Sequence, residues 1–222
     1  MVLVAGRICH CTFEGVSSAR LEPHQRAGVV HVVFVGGSCS GKTTMAAGVA
    51  ERLRARGVRV MVVAKGASAA MSNGLGDIPT MDPARYDLVQ AELGVSMHLA
   101  GVAAHRLVKA AGGGVVLHDR GALDAYVHAA TLTIDDALAE VGTSRTAVLE
   151  GFDMVVVLEP AGYETESNRF RYEDRETVAR RGTQLAQVWS AHRHVVTVGV
   201  FSSPAERATA IVSEIDRLLS PT

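Results

Sequence analysis

Short apolar runs alternate along the chain with segments whose apolar positions recur at helical spacing. The runs are His31–Val35, Val58–Ala64, Val115–Asp119, Asp153–Leu158 and Val195–Val200. They are rich in valine and apolar throughout rather than at every second position, which is the pattern of strands buried on both faces. Between them, good helix formers at helical spacing predict helices over 43–56, 84–111, 121–130, 134–149, 176–192 and 204–219. Punctuation supports these limits. Gly57 and the run Gly112-Gly113-Gly114 are C-terminal stops, Thr131 or Thr133 is a candidate N-cap, and Pro204 opens the last helix. A break in the long second helix is expected near Gly94 or Gly101. The stretch "KGASAAMSNGLGDIPTMDP" after the second run predicts a long loop.

Strands that alternate with helices, and are not themselves two-sided, predict an α/β fold. The expected architecture is a three-layer α/β/α sandwich with a mainly parallel five-stranded sheet. With 222 residues, 48% of them hydrophobic, the chain suits one domain. The expected organisation is an N-terminal extension at 1–28 and a domain at 29–222, with an acceptor region near 65–111 and a lid near 159–175.

Charge narrows the partners. A formal net charge of -1 gives no global electrostatic reason to bind nucleic acid or an anionic membrane. No segment reaches the roughly 18 apolar residues of a membrane span, and the apolar opening "MVLVAGRICHCTFEG" is broken by Arg7, which argues against a secretory signal. Cys9, Cys11 and Cys39 form no disulfide framework, so a reducing, cytoplasmic setting is expected. Cys9-His10-Cys11 lacks the second ligand cluster of a zinc site. The expected partner is a small molecule, with a homodimer left open.

The most specific signal is "FVGGSCSGKTT". Gly36, Gly41, Lys42 and Thr43 satisfy G-x-x-x-x-G-K-[ST] between a predicted strand and a predicted helix, the setting in which that pattern cradles phosphate. Glycines let the backbone turn its N–H groups inward, and the helix N-terminus adds partial positive charge. The nucleotide-binding residues are therefore expected to be Gly36, Gly37, Ser38, Cys39, Ser40, Gly41, Lys42, Thr43 and Thr44. Lys42 would reach the β and γ phosphates, and Thr43 would offer its hydroxyl to Mg²⁺. Cys39 reads as a small filler.

Several nucleotide-handling classes share such a loop. The N-K-x-D of GTPases and the L-S-G-G-Q of transporter ATPases are absent from the sequence. The third apolar run ends His118-Asp119-Arg120 rather than with the Asp-Glu pair that many ATPases use to polarise water. Asp119, at the carboxyl end of a strand, would face the ligand crevice of an α/β sheet and either hold Mg²⁺ or take a proton from a hydroxyl. Asp124 follows it as a weaker candidate.

At "LHDRGALDAY" the residues resemble small-molecule P-loop kinases such as thymidylate kinases. A closer resemblance is to the AAA-like ATPase/kinase family that includes the ribosylnicotinamide kinase domain. "FVGGSCSGKTT", "QAELGVSMHLA" with "VVLHDRGALDAY", and "NRFRYEDRETVARRGTQLAQVW" carry it over roughly residues 31–200. The resemblance implies an ATP- and Mg²⁺-dependent kinase acting on a small hydroxyl compound, with a nucleoside-like acceptor favoured. It places Arg171, with Arg169 second, in a lid that stabilises the transferring group. Arg120, Tyr86 and Gln90 would contact the acceptor. Lys65 stands where relatives often carry a carboxylate, which leaves Asp119, Asp77 or Asp82 to serve as base and suits an acceptor bearing negative charge.

Overall fold

The computed structural model describes residues 28–64, 66–75, 78–159, 175–199 and 203–220. Five strands form one sheet: β1 (Val29–Val35), β2 (Val60–Val63), β3 (Gly114–Asp119), β4 (Met154–Leu158) and β5 (Val195–Val198). Their order across the sheet is β2-β3-β1-β4-β5, and every neighbouring pair is parallel. All seven residues of β1 are buried, as expected for the central strand of a sheet covered on both sides.

The two faces differ in chemistry. Alternate residues of β1, Val30, Val32 and Phe34, point toward α1 (Lys42–Ala55) and α7 (Pro204–Leu219), where Val49, Leu53, Ile211 and Ile215 complete an aliphatic core. The other set faces α3 (Pro83–Ala110), α4 (Thr131–Glu140), α5 (Arg145–Glu150) and α6 (Arg175–Trp189). That side holds Trp189 and Phe152 together with His31 and His118. His31 Nδ1 lies 3.2 Å from His118 Nε2, and His31 Nε2 lies 3.0 Å from His105 Nδ1. A neutral imidazole has one donor and one acceptor nitrogen, so both bonds of this three-histidine chain form with all three rings neutral and the bonds running in one direction. Burial, with His98 nearby, pushes the His118 pKa down to about 3.

Three helices end alike, and two of those endings shift the expected limits. At α1, Gly57 N–H bonds to Arg54 O and Val58 N–H to Leu53 O, with Gly57 at φ +81°. This is a Schellman closure. It engages Val58, so β2 starts at Val60. The same pair of bonds closes α3 at Gly112 and Gly113, and closes α4 at Gly142 and Thr143. The expected single helix over 134–149 is therefore two. Gly142, at φ +73°, ends α4, and the Ser144 hydroxyl caps α5 by accepting from Ala147 N–H. Neither threonine caps α4. Ala130 occupies the N-cap, and Thr131 is the first helical residue.

Three further expectations are corrected. The segment after β2 is not an open loop where it is described: α2 (Gly66–Ala70) runs into a wide turn at Met71–Leu75, and a 3₁₀ turn covers Ile78–Thr80. Gly94 and Gly101 do not interrupt α3, which runs unbroken for 28 residues. They are sites of close approach instead. A Cβ on Gly94 would lie 2.9 Å from Ala122 O, and one on Gly101 would lie 2.7 Å from His118 Cε1. The expected helix at 121–130 is a 3₁₀ segment, Ala122–Val127.

Candidate functional site

β1 and β3 are neighbours, with Phe34 opposite Asp119, so the loop leaving β1 and the carboxylate ending β3 emerge side by side at the carboxyl edge of the sheet. Local chemistry shapes that loop. Gly36 sits at φ +148°, where a Cβ would lie 2.6 Å from Leu158 O and 2.7 Å from Ser40 Oγ. A Cβ on Gly37 would lie 2.7 Å from Val178 O of α6, so the loop can lie against α6 only if it carries glycine there. Cys39 adopts a left-handed backbone at φ +63°.

α1 begins at this loop. Its N-cap is Gly41 at φ +85°, with no side-chain capping bond, and open space surrounds the point where a Cβ would stand. The first amides of α1 thus have no side-chain cap, and the helix dipole adds to their attraction for an anion. Lys42 is 6% exposed. Its ammonium donates to Gly36 O at 2.7 Å, Gly37 O at 2.6 Å and Ser40 Oγ at 3.2 Å. A single cation is thereby held over the turn beside the uncapped amides.

Thr43 donates its hydroxyl to Asp119 Oδ2 at 2.6 Å. Asp119 is 3% exposed, and its Oδ1 has no hydrogen-bond partner. An uncompensated buried carboxylate oxygen is costly, so its presence here points to a proton or a cation. One carboxylate and one hydroxyl fit Mg²⁺, which takes few protein ligands and completes its shell with water and phosphate oxygens. Among the described residues no group of three or more His, Cys, Asp or Glu forms a metal cluster, so an all-protein cage is not built here.

The turn after β3 brings in residues that the sequence placed only weakly or not at all. Arg120 adopts φ +91°, and its guanidinium pairs with Asp124 Oδ2 at 3.4 Å. Asp124 is 2% exposed and also accepts from Trp189 Nε1 at 2.9 Å. Desolvation raises the Asp124 pKa, opposed by Arg120, the indole bond and Lys42. Gly121 lies under the indole, where a Cβ would stand 2.3 Å from Trp189 Cζ2. Burial also pushes the His128 pKa down to about 3, helped by the positive charges of Arg120, Arg181 and Lys42. Lys42, Arg120 and Arg181, from three parts of the fold, thus all act on His128. The signal available in the sequence was pairwise: the lone tryptophan needs a partner for its N–H, and a buried Asp needs donors.

The structure brings the loop residues Gly36 to Thr43 together with Asp119, Arg120 and Asp124. Thr44, on the first turn of α1, is exposed. Half-buried Gln90 lies one turn before Gly94, the point where α3 touches the segment after β3, and half-buried Tyr86 is one turn further away. Asp82 caps α3, its carboxylate accepting from Arg85 N–H and pairing with the Arg85 guanidinium. Lys65, Asp77, Arg169 and Arg171, with most of the expected lid, lie outside the described residues. On the far side of the site, Arg207 of α7 donates to Gly199 O, Glu159 O and Val198 O, fixing the ends of β4 and β5.

An all-parallel sheet with helices on both faces, and a glycine loop running from its central strand into a lysine-headed helix, define a P-loop NTPase-type domain. Residues 31–207 match a family described as an AAA domain, and the chain belongs to that family. Comparison with curated proteins finds no match. An AAA-like domain of this kind binds nucleotide. Among the described residues no helix is long and apolar enough to cross a membrane.

Proposed function

We propose that the protein is an ATP-dependent phosphotransferase that moves the γ-phosphoryl group to a hydroxyl of a small molecule, with a nucleoside-like acceptor favoured. One observation carries the choice of transfer over hydrolysis: the arrangement around Asp119. The residue following the strand carboxylate is a cation, Arg120, and the one further carboxylate shown beside it, Asp124, is buried and engaged by Arg120 and Trp189. That leaves Asp119 Oδ1 as the available base, and among the described residues beside it no second carboxylate is free to polarise a water.

In this reading the α1 amides and Lys42 hold the β and γ phosphates of ATP. Thr43 would hold Mg²⁺, with Asp119 reaching it through water, and the ion when bound would supply positive charge to the phosphate oxygens. Asp119 Oδ1 takes the proton of the acceptor hydroxyl as its oxygen forms the new bond to the γ phosphorus. The bond from that phosphorus to the bridging oxygen breaks, and ADP leaves. Arg120, on the turn beside Asp119, adds positive charge where negative charge develops on the oxygens of the transferring group. Arg171, seconded by Arg169, is assigned the lid role, and Lys65, Tyr86 and Gln90 the acceptor side. The resemblance to ribosylnicotinamide and thymidylate kinases supports the nucleoside-like acceptor.

The test is ADP release by the purified chain with Mg²⁺ and ATP across a panel of nucleosides, aminosugars, antibiotics and nucleotides. Products are read by mass spectrometry. A phosphorylated acceptor with stimulated ADP release is expected. Slow hydrolysis that no acceptor changes would instead identify an accessory or regulatory ATPase.

A further inference from the structure

The described residues expose four large hydrophobic side chains, and three of them, Leu88, Leu99 and Leu107, lie on α3. A single exposed leucine needs no explanation, but aligned ones do. At 3.6 residues per turn, Leu88, Glu92, Ser96, Leu99, Ala103, Arg106, Leu107 and Ala110 fall within an arc of about 100°. All eight are exposed. The opposite side of the same helix carries its buried residues, among them Ala91, Gly94, Val102, His105 and Val108. Between Leu88 and Ala110 the exposed stripe runs for about 33 Å.

Charge along the stripe has a particular symmetry. Glu92 and Arg106 are each seven residues from Leu99, on opposite sides of it, and Leu88 and Ala110 are each eleven away. Seven residues return to the same helix face. A two-fold axis at Leu99 with the helices antiparallel would therefore set Glu92 of one protomer against the partner's Arg106, and do so twice. It would also set Leu88 against the partner's Ala110, a large residue against a small one. Neither Glu92 nor Arg106 has an ion-pair partner among the described residues. A surface that matches itself under a two-fold rotation is the condition for an isologous dimer. Small side chains at Ser96, Ala103 and Ala110 let the helices approach, and the charges select the antiparallel register.

We infer that the exposed face of α3 is the interface of a homodimer, formed by two antiparallel α3 helices about a two-fold axis at Leu99. This stands apart from the phosphotransfer reading. Its consequence for the site is mechanical, because the seam stiffens the helix whose first turns carry Tyr86 and Gln90.

Sedimentation equilibrium of the full chain over a wide concentration range tests it. The expected mass is twice the 23.4 kDa of one chain. Leu99→Glu, at a residue 41% exposed and so not needed for the core, would bring two carboxylates together on the axis. It is expected to weaken dimerisation at least tenfold while leaving the far-ultraviolet circular dichroism unchanged. Glu92→Arg and Arg106→Glu should each weaken it, and the double exchange should restore it, because it recreates the pairs with signs reversed. A single-chain mass at all concentrations, with the face then covered by another part of the chain or by a different partner, overturns the proposal. So does a dimer indifferent to Leu99→Glu, or a double exchange no tighter than the single ones.

Discussion

Lys42 and Asp119 carry different parts of the proposed chemistry, and two substitutions separate them. Lys42→Ala removes the ammonium held over the Gly36 and Gly37 carbonyls, so charge stabilisation of the phosphates is lost. Acceptor-dependent turnover should fall on the order of 100-fold or more. Near-normal turnover in a steady-state assay would remove Lys42 from its role. Asp119→Asn keeps the shape and an oxygen able to accept from Thr43, but offers no basic oxygen to a hydroxyl proton. Turnover should fall by about 10²–10⁴ while nucleotide affinity, read by titration with a fluorescent analogue, changes much less. Equal losses in both would make Asp119 a metal-site residue only. The cradle was legible in the sequence because its chemistry is local: a turn, a helix start and a lysine within eight positions. The clamp of Arg120, Asp124 and Trp189 was not, because it joins a turn to a helix 65 residues away and only folding brings them within hydrogen-bond reach.

Elements were legible where burial on both faces enforced valine runs, and less so where a glycine had two meanings. Gly142 ends a helix and Gly94 lies inside one, yet each stands among good helix formers. What distinguishes them is a neighbour across space. For Gly94 that neighbour is the Ala122 carbonyl, which is backbone and cannot swing aside. Gly94→Ala gains about 1 kcal/mol of helix propensity but meets that oxygen at 2.9 Å and Ala125 Cβ at 3.1 Å. Overpacking costs about 1–3 kcal/mol, so the clash should win and the urea midpoint should fall. Gly48, inside α1, has nothing within 4 Å of the point where a Cβ would stand, so Gly48→Ala should raise the midpoint by roughly 0.5–1 kcal/mol equivalent. Effects of the same sign in both variants would show that propensity alone governs these helices.

For the whole molecule, the asymmetry of the two sheet faces predicts how the fold responds to acid. One face is aliphatic. On the other, ring contacts run from His105 through His31 and His118 to Phe152 and Trp189, with Phe152 4.9 Å from His118 and 5.3 Å from Trp189. Trp189 in turn holds Asp124 beside the phosphate loop. The His118 pKa is lowered from 6.5 to about 3, so between those values the unfolded chain binds a proton there that the folded chain does not. Stability therefore rises with pH across that window, is complete above about 6.5, and falls as pH drops toward 3. Desolvation is the main cause, and the groups facing this imidazole, His31 and His98, would add positive charge rather than relieve it. The loss near pH 4 should be on the order of a few kcal/mol from His118 alone. His118→Gln keeps a polar group toward His31 but cannot titrate. Urea midpoints measured from pH 4 to pH 8 should fall less steeply on the acid side for His118→Gln than for the natural chain. Parallel slopes would mean that protonating this face does not require it to open.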